Sequence, residues 1–82
     1  MNTTEVVELS RCRQLVASGA ARSIREAAGL SLSEVAGAVG VSKAAVILWE
    51  RGDRVPRGAP ALAYGRLLQE LMRGHSRERV MA

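Results

Sequence analysis

The sequence predicts an all-α protein, a compact bundle of about five helices. Three observations carry that prediction. Apolar residues recur at helical spacing along the chain, and the stretches break at Gly and Pro. Hydrophobic residues make up 48%, yet Phe is absent and one Trp and one Tyr are the only aromatics. The core is therefore aliphatic, which suits close-packed helices. Ser and Thr residues stand where helix starts need a side-chain acceptor. At 82 residues, one core is all the chain can build.

The first helix is expected from about Thr4 to Ala17, with Thr4 as its cap. Val6, Leu9, Cys12, Leu15 and Val16 form its apolar stripe. Ser18-Gly19 interrupts it, and Ser18 is placed to cap a short second helix from about Gly19 to Ala28, ended by Gly29. Ser31 and Glu34 then form a capping box: each side chain serves the other's backbone amide. The third helix follows, about Leu32 to Val39, with Leu32, Val35, Ala36 and Val39 on one face. Gly40 stops it. Ser42 caps a fourth helix, about Lys43 to Arg51, and Gly52 ends that one. A loop through Pro56 leads to the last helix, about Pro60 to Arg73, with Ala61, Tyr64, Leu68 and Leu71 inside. Gly74 to Ala82 reads as a polar, frayed tail.

Composition narrows the function. No apolar run reaches the roughly 18 residues of a membrane span, and Met1 to Glu8 lacks the pattern of a signal peptide. A single cysteine excludes an internal disulfide and points to a reducing cytoplasm. One Cys and one His cannot make a finger-like zinc site, so no metal and no cofactor is expected. There is no recognisable nucleophile–base pair and no phosphate-cradling glycine loop, so the chain reads as a non-enzyme. Cys12 reads as a buried thiol, and His75 lies in the tail with no ligand role.

The net charge is +4 with a pI near 10.6. Residues 1–40 hold four basic and four acidic side chains, which cancel. Residues 41–66 hold five basic ones (Lys43, Arg51, Arg54, Arg57, Arg66) against two acidic ones (Glu50, Asp53). A basic surplus gathered in one segment favours an anionic partner.

Leu32 to Glu50 is the informative span. Two short capped helices joined by Gly40-Val41-Ser42 form a helix-turn-helix. Ala36 supplies the small residue that a close helix crossing needs, and Gly40 tolerates positive φ in the turn. Val46 and Trp49, three apart, pin the second helix inward. At about 100° per residue, Ser42 shares their side, while Ala44, Ile47, Leu48 and Arg51 face outward with Lys43 on the flank.

The run Ile24-Arg25-Glu26-Ala27-Ala28-Gly29-Leu30-Ser31-Leu32-Ser33-Glu34-Val35-Ala36, then Gly40-Val41-Ser42, Val46 and Trp49-Glu50-Arg51-Gly52, resembles the phage repressor/Cro, or Xre-type, helix-turn-helix family. The likeness covers about Ser18 to Leu71, roughly two thirds of the chain. It implies a lambda-repressor-like bundle that binds operator DNA as a transcriptional regulator. Residues 1–17 are then an added helix, 18–73 the helix-turn-helix domain and 74–82 a tail.

By the same resemblance, the fourth helix enters the major groove. Ser42, Lys43, Ala44, Ile47 and Leu48 become base- or backbone-facing. Lys43 is the one strong donor to guanine, and Ala44, Ile47 and Leu48 suit thymine methyl groups. This departs from the Gln- and Asn-rich helices common in the family and favours apolar contact or shape readout. Ile47 and Leu48 have a second reading, as a protein interface or as packing under the first helix. Arg51, Arg54 and Arg57 fit phosphate contacts, with Arg57 near the minor groove; a merely solvated basic loop is the plainer alternative. Leu32 stands where relatives grip phosphate with Gln, so that contact is lost or is replaced by Ser31 or Ser33. Arg25 and Glu50 match an internal Arg–Glu pair of the family.

The predicted function is sequence-specific binding of double-stranded DNA by a repressor/Cro-type switch protein, nucleoid-associated in the cytoplasm. The format leans toward a phage regulator. It is expected to act as a homodimer on a palindromic site, paired through the first helix or through Leu67, Leu71, Met72, Val80 and Met81. One alternative is an antitoxin that binds both its operator and a toxin protein. Another is a protein-interaction module using Ala44, Ile47 and Leu48. With Trp49 in the core, no stacking platform for single strands remains.

Overall fold

In a computed structural model the chain forms α1 (Thr3–Ala17), α2 (Ala20–Ala27), α3 (Leu32–Val39), α4 (Lys43–Arg51) and α5 (Gly58–Met81). The structure describes the backbone of residues 1–81 and the side chains of residues 1–74. No strand occurs among the described residues. The roles expected for His75, Val80 and Met81 therefore fall outside the described side chains. No single helix among the described residues is long and apolar enough to cross a membrane.

The helix boundaries follow the cap chemistry, with three corrections. Asn2, not Thr4, caps α1. Its side chain accepts from the Glu5 amide at 2.8 Å, and Glu5 accepts from the Asn2 amide at 3.1 Å. Asn2 has a Glu three residues on, whereas Thr4 has only Val7 there, so Asn2 alone can close a reciprocal box. Gly19 holds the cap position of α2 at φ 83°, and Ser18 serves it from one residue earlier by accepting from the Ala20 amide at 3.3 Å. The third correction concerns α5, which starts at Gly58 and runs through Gly74 to Met81 rather than ending at Arg73. A helical glycine costs about 1 kcal/mol, and no proline follows to make the break. The Ser31–Glu34 box is present, at 3.0 and 2.9 Å, and Ser42 accepts from the Ala45 amide at 3.1 Å.

The core joins Cys12 and Val16 of α1, Ala21 of α2, Val35, Ala36 and Val39 of α3, Val46 and Trp49 of α4, and Tyr64 and Leu68 of α5. Trp49 and Tyr64 stack at a centroid distance of 4.9 Å with planes tilted by 31°. Val6, expected in the stripe of α1, is exposed, and Leu9 and Leu15 are half-buried. The buried part of α1 starts at Cys12, where α1 meets α5 at Gly65. A Cβ at Gly65 would lie 3.0 Å from the Cys12 Cβ, so any larger residue would push the two helices apart by a few tenths of an ångström. Burial pushes the Cys12 thiol up to about 11. Glu8 accepts two bonds from Arg66, at 2.8 and 3.2 Å, and laces the outer edge of the same contact.

Two predictions arise from this packing. The Tyr64 hydroxyl is buried and has no hydrogen-bond partner. A buried polar group without a partner costs about 1–3 kcal/mol. Tyr64→Phe is therefore expected to raise the thermal midpoint, measured by circular dichroism, and a clear fall would show that the hydroxyl is paired. The second concerns acid. The Arg66 guanidinium holds Glu8 below its ordinary 4.5, and the Ser31 amide and hydroxyl do the same for Glu34. A carboxyl lowered in the native state stabilises it above the ordinary value, and that stability fades as pH falls through the lowered one. Melting temperature should fall with acid below about pH 4.5. Glu8→Gln should start lower at neutral pH and converge with wild type in acid; parallel curves would remove Glu8 as a cause.

Candidate nucleic-acid interface

Two helices define the candidate interface. α3 and α4 are joined by Gly40, Val41 and Ser42 and meet at 108°. That angle lies in the range of helix-turn-helix units. Gly40 makes the turn at φ 83°, and the amides of Gly40 and Val41 both bond the Ala36 carbonyl, at 2.9 and 3.0 Å. Ala36 is itself buried at the junction. Val46 and Trp49 of α4 point inward and are buried.

Lys43, Ala44 and Arg51 on the outward side of α4 are exposed, and so is Ser42 at its cap. Ile47 and Leu48 are half-buried, so they present part of their apolar surface beside Lys43 and Ala44. Ser31 and Ser33 are exposed at the start of α3. The Ser31 amide and hydroxyl are both engaged with Glu34, which leaves Ser33 the less committed hydroxyl. Arg54 and Arg57 are exposed in the loop between α4 and α5.

Ion pairing sorts the cations. Among the described residues, Arg22 meets Glu26, Arg25 meets Glu50, Arg51 meets Asp53, Arg66 meets Glu8 and Arg73 meets Glu70. Lys43, Arg54 and Arg57 meet no carboxylate among those residues. The Arg51–Asp53 pair, at 3.2 Å and well exposed, is weak and can yield to a phosphate. Arg11 and Arg13 of α1 also meet none, so the cations without a carboxylate lie on α1, on α4 and on the loop that follows α4. The first turn of α4 adds backbone amides of the same polarity.

Arg25 and Glu50 form a different kind of pair. Arg25 Nε donates to one Glu50 oxygen at 2.6 Å and Nη2 to the other at 3.0 Å. Nη1 donates to the Leu30 carbonyl at 2.9 Å. Both side chains are nearly buried, at 12% and 7% exposure. The guanidinium is thereby fixed as a brace and is not available to a ligand. Its pKa is raised further, chiefly by the bond to Glu50.

Sequence reasoning missed one residue near the interface. Arg13 of α1 donates from Nε to the Pro56 carbonyl at 3.1 Å, across 43 positions of sequence. Pro56 is fully buried between Val55 and Arg57, which are exposed. No local pattern announces so distant a partner. No group of three or more His, Cys, Asp or Glu side chains that would hold a metal exists among the described residues.

A double-mutant cycle tests the brace. Arg25→Met or Glu50→Leu alone should each cost about 3 kcal/mol, because each strands a buried charge. The double variant should cost much less than their sum. Additive losses in urea unfolding would show two independent side chains.

A helix-turn-helix family model matches residues 22–70, more than half of the chain, from α2 into α5. Neither a curated protein nor a solved structure matches it significantly.

Proposed function

This chain belongs to the lambda-repressor-like, Xre-type helix-turn-helix family of DNA-binding regulators, and we propose that it is a repressor or Cro-type switch protein that recognises a specific duplex sequence. One observation carries the reading. Lys43, Arg54 and Arg57, which have no carboxylate partner among the described residues, stand on α4 and its following loop, at a helix-turn-helix of suitable angle.

In this reading α4 lies in the major groove. Lys43 reaches guanine or phosphate, and Ala44, Ile47 and Leu48 contact thymine methyls or the groove wall. Ser33 donates to phosphate at the start of α3, and Ser31 and Ser42, whose hydroxyls accept cap bonds, still have a hydrogen to donate there. Arg51, Arg54 and Arg57 neutralise the backbone on either side. Since only one of the groove-facing side chains is a strong hydrogen-bond donor, sequence preference rests on apolar contact and duplex shape. We infer a homodimer on two half-sites, because one module this small reads few base pairs.

Selection from a random duplex pool supplies the site and its symmetry. On that site, replacing Lys43, Arg54 and Arg57 together by Ala should weaken binding and flatten the salt dependence. Each lost phosphate contact removes about 0.9 from the slope of log affinity against log salt. Leu48→Glu should abolish specific binding with little change in melting temperature. An unchanged salt slope in the triple variant would overturn the assignment of these cations. A large fall in melting temperature of the Leu48 variant would show Leu48 to be a core residue.

A further inference from the structure

The loop that carries Arg54 and Arg57 is tied at both ends to its own neighbours. The amides of Asp53 and Arg54 bond the Leu48 carbonyl of α4, at 2.9 and 3.3 Å, and the Arg57 carbonyl accepts from the Ala61 amide of α5 at 3.4 Å. Its middle is tied to α1. The Pro56 ring is fully buried, and the Pro56 carbonyl accepts from Arg13 Nε at 3.1 Å. Proline has no amide hydrogen, so the carbonyl is the one backbone group through which residue 56 can be anchored. The donor is a guanidinium, which makes the bond stronger than one between neutral groups.

That carbonyl belongs to the planar peptide unit whose nitrogen is that of Arg57. Holding its oxygen restrains that plane, and with it the position of the Arg57 Cα from which the side chain departs. Helix α1 lies outside residues 22–70, the span matched by the family model. It is in turn held on α5 by the Cys12–Gly65 approach and the Glu8–Arg66 pair. The chain of contacts runs from α5 through α1 and Arg13 to the loop.

We propose that Arg13 is a positioning residue for DNA binding: it sets the pose of the loop between α4 and α5 so that Arg57 and Arg54 meet the phosphate backbone. The proposal rests on the interface assigned above. It gives α1 a part in binding without a contact of its own to DNA.

The test has two arms. In the first, the free protein is treated briefly with trypsin, and cleavage after Arg54 and Arg57 is followed by mass spectrometry. Arg13→Met removes the donor but keeps an apolar stem on the half-exposed position. It should speed cleavage at both sites severalfold, and Arg13→Lys, which keeps a cationic donor, should restore slow cleavage. Unchanged cleavage in Arg13→Met overturns the proposal. In the second arm, affinity for a short mixed-sequence duplex is measured in two backgrounds. Arg13→Met should weaken binding at least about tenfold in the wild-type background, the low end of the scale of one hydrogen bond made by a charged group. It should have no effect where Arg54 and Arg57 are already Ala. An equal loss in both backgrounds overturns the proposal by making Arg13 a direct phosphate contact. If the Arg54→Ala/Arg57→Ala change itself leaves affinity unaltered, the interface assignment fails, and the trypsin arm still decides whether Arg13 holds the loop.

Discussion

The Arg25–Glu50 pair is the constraint on which the geometry of this molecule turns. α4 has nine residues, too few to persist as a helix without packing. Two inward apolar side chains, Val46 and Trp49, give it a buried face but do not fix its rotation or its slide. Glu50 stands at the edge of that face, and one guanidinium grips it with two bonds while holding the Leu30 carbonyl with a third. A single planar group therefore relates α2, the entrance to α3 and α4. Desolvating two charges offsets much of their attraction, so what the pair supplies best is a defined orientation rather than net stability. The proposed reading of DNA by Lys43 and Ala44 would need that orientation.

Cation placement builds on the same frame. A formal charge of +4 on 82 residues says little by itself. Arg25 is consumed internally, and Arg66 and Arg73 are matched by carboxylates on α1 and α5. What remains beside α4 is a short run of side chains with no competing acid among the described residues other than Asp53. The field is local, and it falls where the helix-turn-helix angle leaves α4 exposed.

Features with short-range signals were legible in the sequence. The Ser31–Glu34 box, the Gly40 turn and the inward pair Val46 and Trp49 all arise from residues within one or two helical turns of each other. So does the outward set on α4, whose faces follow from the helical period. The features that escaped depend on distance in sequence. Gly65 looks like a mere helix weakener until Cys12 is seen against it. Arg13 looks like an ordinary surface arginine until Pro56 lies in reach. Val6 fits the stripe of α1 by period, but it is exposed, and the period cannot say how much of a stripe the other helices cover. The end of α5 was misjudged for another reason: a lone glycine lowers helix propensity by an amount that continued pairing and good helix formers can outweigh, as around the Glu70–Arg73 contact.

The scarcity of aromatic residues has an optical consequence. The chain has one Trp and one Tyr, and they lie face to tilted face at 4.9 Å, one on the inner side of α4 and the other on α5. At that separation the tyrosine hands its excitation to the indole, so the protein emits from a single place. That place is the seat of the helix assigned to the groove. Intrinsic fluorescence therefore reports the seating of α4 on α5 without a label, and a shift in its colour registers water reaching the underside of that helix.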